Sequence, residues 1–359
     1  MKAAVLREVG KPLQIEDVEV RKPGPREVLI RTAAAGVCHS DLHFVEGSYP
    51  AQMPVVLGHE SAGVVEAVGE DVRTVKAGDH VITCLSVFCG HCEDCLGGRM
   101  SLCRSPEVRQ TETPRLSQAG GPMNQFINLS SFAEMMLIHE HACVAIRKDM
   151  PLDRAALIGC GVTTGVGAAI HTSKVRPGET VAVIGCGGVG LSAINGAAIA
   201  GASRIFAIDT TASKGNLAME FGATDFIDAS ATDAVKEVIE ATKGGVHHAF
   251  EAIGLAKTAE QAFNMLRRGG TANIIGMIPV GQMVSVMGAA FLGEKKLQGS
   301  LMGSNRFPVD MPRFVDFYMA GKLKLDQMIS QRIKLEQVNE GFEDMKKGEL
   351  ARSVIVFDA

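Results

Sequence analysis

The sequence predicts an α/β protein in which a β-rich domain is joined to a doubly wound parallel sheet. Three observations carry this. The length, 359 residues, suits two domains of about 100–200 residues each. Up to about residue 150, short apolar runs such as 28–33 and 64–68 are broken by Gly, Pro and Asp, as in an antiparallel β domain. From Thr180 onward, apolar strands alternate with helical stretches. TVAVI is followed by GVGLSAINGAAIAGA, RIFAID by SKGNLAMEFGA, DFID by DAVKEVIEATKGG, and HHAFEAIG by KTAEQAFNMLRRGG, before TANIIGM. That rhythm builds a parallel sheet with helices on both faces.

The remaining segments are read in the same way. The polar stretch between 102 and 132 reads as one long loop, a kind that is usually functional. Near Gly303 the β-α rhythm stops. The tail, with RFVDFYMAGK and ARSVIVF, reads as helices and a last strand that return to the first domain. The expected boundaries are 1–160, 161–301 and 302–359.

Composition narrows the class. Hydrophobic residues make up 46% and charged residues 21%, ordinary for a soluble globular protein. The net charge of −4 offers no basic surplus for a phosphate backbone, so no nucleic-acid partner is expected. The N-terminus carries Arg7 and Glu8 and lacks a signal-peptide core. The longest uncharged run, 181–203, could span a membrane by length, but its six glycines fit a strand, a tight turn and a helix better. No membrane partner and a cytoplasmic location follow. In a reducing cytosol, clustered cysteines among the nine more often bind metal than pair as disulfides.

The turn after TVAVI reads Gly185-Cys186-Gly187-Gly188-Val189-Gly190, a G-x-G-x-x-G pattern between a strand and a helix. Glycines there let backbone approach a pyrophosphate, and the helix N-terminus offers free N–H groups and a positive dipole end. Asp209 closes the next strand. Its carboxylate can bond an adenosine ribose and repel a 2′-phosphate, which favours NAD over NADP.

Cys89, Cys92, Cys95 and Cys103 supply four thiolates from one short stretch. Four sulfurs complete a tetrahedral zinc shell and leave no position for substrate, so such a site is structural; an iron–sulfur cluster uses the same ligands. His91 lies inside the stretch but is not needed as a ligand. A second, dispersed set is Cys38 in GVCHSDLH, His59 and Glu60 in GHES, and Cys160 in GCGVTTG, all among glycines where backbones can come close to an ion.

These pieces, with GDHV, FEAIG and ARSVIVF, resemble the zinc-dependent alcohol dehydrogenases of the medium-chain dehydrogenase/reductase superfamily over essentially the whole chain, and the long stretch before Phe132 resembles the long-loop branch. The resemblance implies a GroES-like catalytic domain, a Rossmann cofactor domain, two zinc ions per subunit and NAD. It implies that Cys38, His59 and Cys160 ligate the catalytic zinc, with Glu60 able to visit the metal and Asp41 fixing the His59 tautomer. Ser40 and His43 would carry the alcohol proton out by way of the nicotinamide ribose. His39 and Arg352 would contact the pyrophosphate, Lys214 the ribose beside Asp209, and Thr164 the nicotinamide.

By the same resemblance Tyr49, Leu85, Phe126, Ile127, Met277 and Leu301 would line an uncharged substrate pocket. Such a pocket disfavours hydroxy acids and sugars and suits medium-chain primary or aromatic alcohols. Two positions depart from the family. His39 stands where many relatives carry Arg, and Tyr49 stands where the glutathione-adduct branch carries an acid. The expected activity is therefore oxidation of primary alcohols to aldehydes by a homodimer or homotetramer. The alternatives are a thiol-adduct formaldehyde dehydrogenase and a non-catalytic zinc-bearing structural or redox-sensing protein. The latter has no need of Ser40 and His43.

Overall fold

The computed structural model describes residues 1–119, 121–348 and 350–358. They form two compact units, one of 1–161 with 305–359 and one of 162–304.

The first unit is built on the long strand Glu27–Gly36, whose alternating burial comes from EVLIRTAAAG facing a core on one side. It pairs antiparallel with Glu60–Val68, Met135–His139 and Arg352–Val356. The return of the last strand follows from its register: Val354 sits opposite Gly36 and Val356 opposite Ala34. Because neighbours run antiparallel, the end of Glu27–Gly36 lies beside the starts of Glu60–Val68 and Arg352–Val356. One edge of the sheet thus gathers Cys38, His59 and Arg352. Leu57, Phe132 and Val338 fill the core behind that edge, each fully buried. Each such side chain contributes about 1.5–3 kcal/mol of transfer free energy.

The polar stretch 102–132 is not one loop. Leu116–Gln118 and Gly121–Gln125 pair antiparallel as a short hairpin, with Gly120 between them outside the described residues. The hairpin is held from outside the stretch. Leu116–Gln118 pairs with Glu19–Val20, and Gly121–Gln125 runs parallel to Val55–Val56. The buried Arg115 guanidinium meets Glu27 at 2.8 Å. Strands this short carry too few alternating residues to read as strands on their own.

In the second unit six strands are all parallel to their neighbours: β1 (Thr180–Ile184), β2 (Arg204–Asp209), β3 (Asp225–Asp228), β4 (Val246–Glu251), β5 (Leu266–Ile274) and β6 (Lys296–Gly299). Their order is β3-β2-β1-β4-β5-β6, the doubly wound arrangement that reverses between β1 and β4. Helix α1 (Gly188–Ile199) follows β1. Its nearly uniform burial explains its lack of a polar stripe. Phe206, Ala249, Phe263 and Ala272 sit in the core between sheet and helices. The apolar helical segment Leu152–Thr172 is long enough to cross a membrane by length and composition, but 83% of it is buried within the protein.

Candidate active site and metal centres

The four-cysteine stretch folds into a loop with one helical turn, Glu93–Leu96. Cys89 and Cys95 sulfurs lie 3.9 Å apart, and Cys92 and Cys103 sulfurs 3.8 Å. Ligands at 2.3 Å from a tetrahedral zinc lie about 3.8 Å from one another. The backbone N–H of Cys92 donates to Cys89 Sγ at 3.3 Å and that of Cys89 to Cys103 Sγ at 3.4 Å. The set therefore fits a closed zinc site. His91 instead faces the exposed Glu107 at 3.4 Å.

Cys38, His59 and Cys160 are brought together with their ligand atoms within 4.8 Å, all three buried. Each arrives for a local reason. Cys38 is the extended residue that opens helix His39–Val45 directly after the long strand. His59 follows Gly58, whose φ is +92° and where a Cβ would lie 2.4 Å from the Phe132 nitrogen, so the position admits only glycine. Cys160 sits in the π-helical turn Ile158–Val162, a wide turn often found at functional sites.

Asp41, fully buried in the first turn of the helix, accepts from His59 Nδ1 at 3.0 Å and from Gly58 N–H at 3.1 Å. This fixes the tautomer and leaves the Nε2 lone pair facing Cys160 Sγ at 3.2 Å. Burial works against a charged His59, yet the Asp41 carboxylate outweighs it and holds the imidazole well above its ordinary pKa, making it a more basic ligand. Three ligands with an open fourth position are the donor set of a catalytic zinc.

Glu60 lies behind this set, fully buried. It accepts from Gly161 N–H at 3.0 Å and faces Arg352 Nε at 3.5 Å. Burial pushes its carboxyl up to about 7, against the pull of Arg352. Arg352 in turn reaches the Val37 carbonyl. His39 is exposed at the helix start, Ser40 Oγ lies 3.7 Å from Cys38 Sγ, and the half-buried His43 ring is 6.0 Å from Tyr49.

Of the predicted pocket residues in this unit, Phe126 lies edge-on to His59 at 5.8 Å. Ile127 follows it at φ +47°, a strained setting for a β-branched residue. Tyr49 is half-buried 5.9 Å from Phe44. Leu85 packs on the core beneath the four-cysteine loop. Phe44, absent from the sequence reading, stands edge-on to Phe126 at 4.7 Å and joins it to Tyr49 as one aromatic wall. Its place next to His43 on the same short helix was the available signal.

In the second unit, Gly185 has φ +97°, and a Cβ on Gly190 would lie 1.7 Å from the Gly185 carbonyl, so the turn can close only with glycine. Gly187 is the N-cap of helix α1 and supplies no side-chain cap, so the first N–H groups of the helix are left for an anion. Gly188 is buried and Val189 half-buried within that first turn. Asp209 Oδ2 accepts from Cys186 N–H at 2.8 Å and Oδ1 from Thr211 N–H at 3.0 Å, while Lys214 Nζ stands 3.2 Å away. Each carboxylate oxygen thus spends part of its capacity on shaping the turn. Thr164 is buried against Met302 Sδ, Met277 is half-buried, and Leu301 is half-exposed.

These features define an oxidoreductase with a dinucleotide cofactor and two metal centres. Residues 24–148 match the alcohol dehydrogenase GroES-like domain and residues 188–318 the zinc-binding dehydrogenase domain. The chain is 39% identical to the probable S-(hydroxymethyl)glutathione dehydrogenase 1 of Schizosaccharomyces pombe, covering 99% of this chain and 96% of that protein. It is 39% identical to the alcohol dehydrogenase class-3 of Drosophila melanogaster, covering 99% and 97%. The benzyl alcohol dehydrogenase structure from Acinetobacter calcoaceticus superposes with a TM-score of 0.93 at 32% identity over 99% of both chains. The chain belongs to the zinc-dependent alcohol dehydrogenase family of the medium-chain dehydrogenase/reductase superfamily. It is an enzyme whose cofactors are zinc and a nicotinamide dinucleotide.

Proposed function

We propose that the enzyme oxidises the primary carbinol of a thiol adduct, the hydroxymethyl group that formaldehyde forms on glutathione, and passes the hydride to NAD. The observation that carries the reaction is the open Cys38–His59–Cys160 set with Asp41 on His59. The names of the two curated relatives favour the thiol adduct over the free medium-chain or benzylic alcohol suggested by the pocket composition.

Zinc bound by Cys38, His59 and Cys160 supplies Lewis acidity, which favours the ionised form of a hydroxyl. The chain's residues do the rest. Asp41 holds His59 in the ligating tautomer. Ser40 and His43 receive the hydroxyl proton and pass it towards solvent. The carbinol carbon loses a hydride, and the product is the S-formyl thioester. Gly187, Gly188 and Val189 cradle the pyrophosphate with backbone N–H groups, His39 and Arg352 add positive or polar contact to it, and Thr164 packs by the nicotinamide. Asp209 selects the ribose without a 2′-phosphate, with Lys214 beside it; Glu60, facing Arg352, would be the neighbouring carboxylate able to visit the metal.

A specific observation favours a second reading. The wall of Phe44, Tyr49 and Phe126 is uncharged and aromatic, suited to a benzylic alcohol, and the Acinetobacter structure is named for that substrate. NADH formation with formaldehyde plus glutathione, benzyl alcohol, hexanol and ethanol, each with NAD and with NADP, separates the two. The expected result is the highest kcat/KM with NAD and the glutathione mixture, and no formaldehyde oxidation without thiol. Benzyl alcohol outperforming the mixture would transfer the conclusion to the second reading.

Two copies associating through β6 complete the proposal. Among the described residues this edge strand has a partner strand on one side only, and Met283, Met287 and Leu292, which precede it in the chain, are 86%, 73% and 91% exposed.

A further inference from the structure

The sheet of the second unit carries another cleft, at the end opposite its glycine-rich turn. Thr180 opens β1, Arg204 opens β2, and His247 and Arg267 lie at the openings of β4 and β5, so all mark the amino-terminal edge of the parallel strands. Gly185 follows the carboxyl end of β1, a strand of five residues that spans about 16 Å. With Lys243 and Arg268, these residues line a cavity of about 500 Å³ whose lining contains no carboxylate.

The charge here is unbalanced. Arg204 is spoken for: Asp225 takes two of its N–H groups at 2.9 and 2.6 Å, and the Ala241 carbonyl a third. Arg267, Arg268 and Lys243 are exposed and make no ion pair among the described residues. In a chain of net charge −4, three unpaired cations on one concave surface are a local field of opposite sign.

Hydrogen bonding is unbalanced in the same direction. His247 Nδ1 faces the Thr180 N–H at 3.1 Å, and its Nε2 faces Arg267 Nη1 at 2.6 Å. Thr180 Oγ1 also lies 2.9 Å from Nδ1; when Nδ1 accepts from the Thr180 N–H, the neutral ring turns its one N–H, on Nε2, towards the Arg267 guanidinium, and an acceptor between the two relieves that opposition. Burial, with Arg267 adding to it, lowers the His247 pKa, against the pull of Glu179.

The helix that ends beside the cleft, Ala234–Thr242, does not oppose an anion with free carbonyls. Lys243 N–H caps Glu240, Gly244 N–H caps Ile239, and Arg204 takes Ala241. Gly245, at φ +109°, has no room for a Cβ, which would sit 2.5 Å from the Arg267 nitrogen. The backbone therefore brings Arg267 close to the floor of the cleft.

We propose that this cleft binds a phosphate-class dianion, either free phosphate or the terminal phosphate of a small ester, held by Arg267, Arg268 and Lys243 with His247 completing the shell. Guanidinium forks match tetrahedral oxyanions in bidentate geometry, and two negative charges match the cation surplus better than one carboxylate does.

The test uses the zinc-loaded enzyme saturated with NAD, so that the glycine-rich turn is occupied. Inorganic phosphate, glycerol 2-phosphate and acetate are titrated calorimetrically at constant ionic strength. One site per chain is expected, with acetate at least tenfold weaker; whichever phosphate binds more tightly identifies the source. In Arg267→Ser/Arg268→Ser, affinity should fall at least tenfold with turnover and Tm unchanged. In crystals soaked with tungstate, an anomalous peak should appear between Arg267 and Arg268. Unchanged affinity in the double variant, acetate binding as tightly as phosphate, or binding only to a long DNA polyanion would each overturn the proposal. Should the double variant fold poorly, Lys243→Ser, at an exposed helix end, gives the same readout with a smaller loss.

Discussion

Cys89, Cys92, Cys95 and Cys103 lie within one short loop, whereas Cys38, His59 and Cys160 come from three elements spread over more than a hundred positions. The first set is half-exposed at Cys92 and Cys95, and its ligands are completed by neighbouring backbone N–H groups. The second is buried, and the fold adds a carboxylate that no local stretch could supply, Asp41 on His59. A local cluster can be full and inert. A dispersed one can keep a position open, because the surrounding fold, not the metal alone, holds the ligands in place. The two centres should therefore fail in different ways when a ligand is removed, and turnover is the measure that separates them.

The largest effect is expected at Cys160. Cys160→Ala removes one of three ligands and with it a Lewis acid worth several kcal/mol, so kcat should fall by at least about a thousandfold. Metal analysis should drop from two zinc ions to one, and Tm should change little because the residue sits in a packed turn that Ala fits. Retained turnover would show that the three residues do not hold the reacting metal.

Next comes Asp41→Asn. The amide cannot carry the negative charge that raises His59 basicity, and can turn an N–H towards Nδ1, which reverses the tautomer. Loss of such a supporting carboxylate costs about 10–100-fold in metal affinity or activity. Competition with a chelator should show weaker retention of one zinc while the other is unaffected. Equal loss from both centres would contradict the separation of roles.

His43→Gln should be milder, about tenfold in kcat for alcohol oxidation at pH 7, because the relay acts at one remove from the reacting oxygen. The deficit should shrink as pH rises towards 10, where hydroxide in solution takes the proton instead. A deficit that is flat with pH would assign His43 a packing role beside Tyr49.

How much of this was legible depended on the range of the interactions. The four-cysteine loop and the Gly185–Gly190 turn are local, and their spacing alone indicated what they do. The β-α rhythm was equally plain, since β1 and β2 are apolar runs of five and six residues, each followed by a helical stretch. Cys38, His59 and Cys160 could not be joined by spacing; resemblance supplied the set, and the pairing of Gly36 with Glu60 and Val354 shows why the fold assembles it. The hairpin around Leu116–Gln118 was hidden because its partners, Glu19–Val20 and Val55–Val56, lie far away in the chain. Strand Ile329–Ile333 was hidden for a similar reason: its mixed sequence ISQRI is fixed by pairing with Arg352–Val356.

Cys95→Ala should have the smallest effect on turnover and a large one on stability. Cys95 lies on the helical turn Glu93–Leu96, with its sulfur 3.9 Å from that of Cys89. Without it the loop keeps three sulfurs, and the metal's binding energy, about 10–16 kcal/mol in isolated four-ligand zinc peptides, no longer supports the local fold. What remains there is a small cluster around Val87, Val108 and the half-buried Leu85 and Phe88. That cluster packs against strands of the first unit through Val81 and Met136, so loosening of the loop should reach the sheet as a lower Tm. It should not reach His59, which stands edge-on to Phe126 of the other core cluster, or Asp41, which is hydrogen-bonded to His59. The expected outcome is one zinc per chain and a clearly lowered Tm, with kcat per folded molecule within about twofold of the parent when assayed at low temperature, since structural sites hold no position for substrate. A large fall in kcat at unchanged Tm would mean that the exposed loop, not only the buried ligands, shapes the reacting centre.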